Sequence, residues 1–218
     1  MRNVTETVKQ LIIINILFFI GTQLVSGPAY QYLALFFPEN SDFMPWQPIT
    51  YMFMHGGFMH ILFNMFALYS FGSALEQFWG GKKFLFFYIS CGLGSALVHT
   101  GVNYFHFQEG IDALISNGFS KSEILQLLNE GKIDTRWQEL LTVTQFQNFT
   151  SAYLGTAVGA SGAIYGIIVA FAFMFPNAEL GLMFIPIPIK AKYFVPGLVL
   201  IDLYLGISGK SIFGGGGI

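Results

Sequence analysis

The chain has 218 residues, of which 54% are hydrophobic and only 10% charged. Soluble domains carry about 25% charged residues, so a soluble fold is excluded and an integral membrane protein is expected. The net charge of −2 offers nothing to a nucleic acid, and the single cysteine, Cys91, excludes a disulfide within the chain. Cys91 stands in an apolar run and reads as a small buried side chain.

Five segments approach the ~20 apolar residues that cross a bilayer. They are about Val8–Val25, Phe58–Leu75, Phe84–Phe105, Ala157–Phe175 and Lys192–Ile207. The expected fold is therefore an all-α, polytopic membrane helix bundle. The first segment is followed by Gln23, Ser26 and Pro28, with no small-residue cleavage site, and reads as a span rather than a leader. Arg2, Lys9, Lys82, Lys83, Lys190 and Lys192 all fall on one side of this arrangement. The opposite loop, 26–57, has no lysine or arginine, so the N-terminus is expected in the cytoplasm.

The second segment opens with His55-Gly-Gly-Phe-Met-His60-Ile-Leu-Phe-Asn64. His60 and Asn64 are four apart and share one helix face. Both can donate hydrogen bonds, and paired donors are what a developing oxyanion needs. On their own they read equally as polar glue between helices. His99 and His106 lie near the outer end of the third segment.

The stretch 107–150 is expected to be a largely extramembrane, amphipathic helical insertion. Ser120-Lys-Ser-Glu123 reads as a capping box that opens a helix carrying Ile124, Leu125, Leu127 and Leu128, with Gly131 as its stop. A second helix is expected to open at Thr135-Arg-Trp-Gln138. The insertion reads as solvated or lying on the interface, with substrate docking as the alternative.

The fourth segment carries Gly159-Ala-Ser161-Gly162-Ala-Ile-Tyr165-Gly166. Ser161 is expected about four residues inside its span, ~6 Å deep, in the same outer layer as His60 and Asn64. Gly162 and Gly166 read as a small-residue packing face. An α/β-hydrolase elbow is a poor match, because Ala163 stands where that motif has glycine. A serine needs an adjacent base, and His55, His60, His99 and His106 are the candidates. Beyond this span, Phe184-Ile-Pro186-Ile-Pro188-Ile189 is expected to be extended, because its prolines disfavour helix.

With the His-x4-His-x3-Asn and Gly-x-Ser-Gly patterns in that order, the sequence resembles the rhomboid intramembrane serine proteases. The resemblance covers residues 1–218 as one membrane domain, apart from the insertion. It implies Ser161 as nucleophile, with His60 and Asn64 joining the Ser161 backbone N–H at the oxyanion. It also implies supporting roles for Tyr165, His55, Gly159 and Gly162. Tyr165 would pack against the base, and His55 would brace the outer loop. Trp46 matches the outer hairpin, although Gln47 stands where many relatives have arginine. Gly72, Glu76 and Gly80 match a structural motif at the base of the second span.

The resemblance implies transmembrane protein substrates and a lipid bilayer as partners, a bacterial inner membrane, no cofactor and no metal. It places the base on a sixth helix. The sequence stops at Phe213-Gly-Gly-Gly-Gly-Ile218 where that helix should begin, so five of six spans are expected here and the base is missing. A chain cut short in this way would be inactive or nearly so. The alternative is a non-catalytic rhomboid-like protein that binds transmembrane helices.

Overall fold

The computed structural model describes residues 4–182 and 185–207. Arg2, Phe184 and the stretch Phe213–Ile218 invoked above lie outside the described residues.

Helix α1, Glu6–Leu24, buries only Val8, Leu11, Asn15 and Thr22. Ile13, Ile16, Leu17 and Ile20 remain exposed, as suits a helix bathed in lipid. A short α2, Ser26–Leu33, leads into an irregular outer loop with α3, Gln47–Thr50, and a 3₁₀ turn at Tyr51–Phe53. The second span is α4, Phe58–Ala67, a π turn at Leu68–Gly72, and α5, Ser73–Trp79, in continuous succession. Gly80 ends it at φ +79, a left-handed position that favours glycine. Its N–H donates to the Glu76 carbonyl at 2.8 Å.

Glu76 also shows why the first two spans meet. Its carboxylate accepts from the backbone N–H groups of Thr7 and Val8, each at 2.9 Å, and from the Thr5 hydroxyl. These are orphan donors at the start of α1, and a carboxylate there also complements the helix dipole. Gly72 makes room, since a Cβ on it would stand 3.1 to 3.2 Å from Leu68, Phe84 and Val8.

The third span overran its expected end. Helix α6 runs 36 residues, Gly81–Ser116, because Phe107, Ile111 and Leu114 keep the helical period and bury in a second core. That core is built with α7 (Lys121–Asn129), α8 (Trp137–Leu140) and α9 (Val143–Leu154). The Ser120 capping box is formed in both directions, and Gly131 at φ +65 closes α7. Helix α8 starts at Trp137, two residues after Thr135, where the Asp134 carboxylate accepts from the Arg136 N–H at 2.9 Å.

Helix α10, Ser161–Met174, starts later than expected. Ala157 is instead bridged to Leu35 by two backbone hydrogen bonds of 3.0 Å each. Gly159, at φ +129, turns the chain out of that bridge, so Ser161 is the first residue of the helix rather than one turn inside it. The proline segment is extended as expected. Strand β1, Glu179–Leu182, pairs antiparallel with β2, Ile185–Lys190. Helix α11, Ala191–Ile207, follows directly.

Among the described residues, three helical spans are long and apolar enough to cross a bilayer: Glu6–Leu24, Phe58–Trp79 and Gly81–Ser116. Helix α10 is shorter at 14 residues, and α11 has 17. The molecule is an all-α polytopic membrane bundle with one small hairpin.

Candidate functional site

Two of the expected residues, His60 and Ser161, approach each other at Gly159. A Cβ there would lie 2.9 Å from both Cε1 and Nε2 of His60, and 3.6 Å from Oγ of Ser161. The imidazole edge and the hydroxyl therefore flank one backbone position. Glycine is required twice over, by its φ and by the space. Gly159 is fixed from below by its N–H, which donates to the Tyr51 carbonyl at 2.9 Å.

The Gly56 N–H approaches Nδ1 of His60 at 3.4 Å. With Nδ1 accepting, a neutral His60 carries its proton on Nε2, the nitrogen that faces Gly159. Asn64 lies one turn further along α4 and is buried, and its Nδ2 has no partner among the described residues. A buried amide donor left unpaired costs about 1–3 kcal/mol. Ser161 is exposed at the first turn of α10, and Tyr165 is half-buried one turn on.

His55 is fully buried in the loop ahead of α4, and its ring meets that of His60 edge-on at 5.0 Å. Burial, reinforced by His60, pushes its imidazole down to about 4 against a small opposing pull from the Phe53 backbone. His55 is thus a neutral wedge behind His60. His99 and His106 are not brought to Ser161 by their hydrogen bonds. His99 pairs with Asn103 at 3.0 Å, and His106 with Asn148 at 3.5 Å.

Gly162 and Gly166 let α10 press onto α6. A Cβ on Gly162 would stand 2.2 Å from the Ser95 Oγ, and one on Gly166 would stand 2.3 Å from the Cys91 Sγ. Cys91 and Ser95 are themselves one turn apart, so the two helices meet along a matched pair of contacts.

Two residues of the site, Tyr51 and Leu35, were missed from the sequence, and Gln47 was noted there only as a departure from arginine. Tyr51 ties the site to α6 through its hydroxyl, which donates to the Gly92 carbonyl at 2.7 Å. Leu35 provides the bridge to Ala157. Gln47 is fully buried and knots the outer loop. Its Oε1 accepts from the N–H groups of Phe36 and Met44, and its Nε2 donates to the carbonyls of Gln31 and Asp42. Here a neutral amide does by four hydrogen bonds what the resemblance would assign to an arginine.

The fold is a membrane helix bundle in which His60 and Ser161 both approach Gly159. The family model for the Rhomboid domain matches residues 42–122, which hold the outer loop, His60 and Asn64 but not Ser161. Rhomboid protease GlpG of Haemophilus influenzae is 24% identical over 65% of this chain and 74% of its own length. Rhomboid protein 1, mitochondrial, of Saccharomyces cerevisiae is 24% identical over 62% of this chain but only 27% of its own. Rhomboid protease GluP of Bacillus subtilis is 35% identical over 24% of this chain and 10% of its own. The chain thus spans well under half of the yeast and Bacillus relatives. Its residues 42–122 match the Rhomboid domain, and it is similar to these rhomboid proteins.

Proposed function

We propose that this protein is an intramembrane serine endopeptidase that cleaves transmembrane protein substrates. The observation that carries this reading is the approach of both the Ser161 hydroxyl and His60 Nε2 to one backbone position, Gly159. The Ser161 Oγ would attack the scissile carbonyl carbon and lose its proton to a base. The carbonyl π electrons would move onto oxygen. The resulting oxyanion would accept from His60 Nε2–H, Asn64 Nδ2–H and the Ser161 backbone N–H. Collapse would re-form the carbonyl, break the peptide C–N bond and return the proton to the leaving amine. Water would then release the acyl-enzyme by the same steps.

His55 holds the His60 ring from behind, and Gly162 draws α10 close to α6. Tyr165 stands where a base could pack against it. No histidine follows Ser161 among residues 1–218. We place the protein in a bacterial inner membrane with its N-terminus cytoplasmic, on the basis of its loop lysines.

The test is expression from the native reading frame together with a transmembrane reporter substrate. The reading expects cleavage in the wild type and its loss, by at least ~1,000-fold, in Ser161→Ala. Cleavage surviving in Ser161→Ala would refute it. Capture of the reporter without cleavage by the wild type would favour the helix-binding alternative.

A further inference from the structure

We propose that the groove where α5 meets α6 binds an anionic phospholipid of the surrounding bilayer. The groove has a volume of about 480 Å³ and is lined by Trp79, Lys82, Lys83, Phe86 and Phe87. On α6, Lys82 stands one turn from Phe86, and Lys83 one turn from Phe87, so each cation and ring share a face. Each ring-bearing residue lies about 6 Å further along the helix axis than its lysine. Trp79 closes the wall, its ring edge-on to Phe87 at 5.1 Å. Phe86 is 76% exposed, open to an acyl chain.

Among the described residues, neither lysine is paired with a carboxylate. The ion pairs among the described residues are His106–Glu109, Lys121–Glu39, Lys132–Glu130 and Arg136–Asp134. Glu76, the nearest acid in sequence, is committed to the start of α1. The same hydrogen bonds place the groove at the end of the bundle that holds the N-terminus. Two unmatched cations above an aromatic trough complement a phosphodiester joined to hydrocarbon. A soluble phosphate would leave the rings unused, and an acidic peptide would have to bury its backbone against lipid. Polybasic sites at a membrane surface gain about 1 kcal/mol per lysine from anionic lipid.

Native mass spectrometry of the intact protein titrated with phosphatidylglycerol or phosphatidylcholine tests this. The wild type should retain phosphatidylglycerol preferentially, and Lys82→Gln/Lys83→Gln should weaken that binding roughly 30-fold. Phe86→Ala leaves all charge in place, and should weaken both lipids. Lys190→Gln/Lys192→Gln should change little, which separates a built groove from a generally basic surface. Equal losses in the two lysine pairs, an unaltered preference in Lys82→Gln/Lys83→Gln, or displacement of the lipid by inorganic phosphate would each overturn the proposal.

Discussion

The membrane bundle and the insertion solve the same packing problem with opposite materials. In the bundle, α10 meets α6 by removing side chains, with Gly162 and Gly166 set against Ser95 and Cys91. In the insertion, α6 and α9 meet by adding rings. Phe107 stacks on Phe149 at 5.6 Å, and Trp137 meets Phe149 edge-on at 5.8 Å. The difference follows from the solvent. Lipid is as apolar as a leucine side chain, so burying apolar area gains little there and close backbone approach decides. The insertion carries exposed lysines and carboxylates, and where such a surface meets water, burying rings is itself the driving force. The regions overlap in one place, since Phe149 lies against Gly110 with no room for a Cβ.

The largest expected effect comes from removing the centre of the aromatic core. Trp137 is fully buried, and its indole nitrogen has no hydrogen-bond partner among the described residues, so truncation tests packing alone. Trp137→Ala should cost about 3–5 kcal/mol. Hydrogen exchange should show the loss across 107–154, while α1, α4 and α10 keep their protection. Collapse of the whole bundle would break the comparison, by showing a single cooperative unit.

The next effect is the converse, a side chain added to the bundle. Gly162→Ala would put a methyl group 2.2 Å from the Ser95 Oγ, at a site with no slack. Overpacking of this kind costs about 1–3 kcal/mol. Ser95→Gly in the same chain should restore most of it, read as the melting temperature in detergent through a double-mutant cycle. Without rescue, the Gly162–Ser95 contact would not be what sets the distance between α6 and α10.

These two regions were not equally legible in the sequence. Spans and caps are local, and the apolar runs, the Ser120 box and the Gly131 stop could be read directly. A second capping box, Thr142 with Gln145, has the same spacing but was overlooked. Long-range partners leave no such periodic trace. Nothing in 157–160 by itself announces a bridge to Leu35, so Ser161 was expected a turn inside its span when it stands at the start of α10. Tyr51 was hidden for the same reason, because its role depends on Gly159 and Gly92, far away in sequence. His60, Asn64 and Ser161 were found because their chemistry is out of place in apolar surroundings. Their mutual distances were not legible.

The smallest effect sharpens the comparison at a helix end. Ser120 Oγ accepts from the Glu123 N–H at 3.2 Å, and the Ser120 N–H donates back to the Glu123 carboxylate at 3.1 Å. Ser120→Ala removes the first of these bonds and leaves an exposed N–H that water can reach. The cost should be about 1 kcal/mol. It should appear as faster exchange in Lys121–Asn129 alone, because Ile124 and Leu128 still hold that helix to the aromatic core. The equivalent cap on α1 is supplied from another span by Glu76, so Glu76→Ala should loosen two helices at once. The insertion caps its helices with neighbours in sequence and can lose one cap locally. The bundle caps α1 with a distant carboxylate, so a lesion at that one residue reaches both partners.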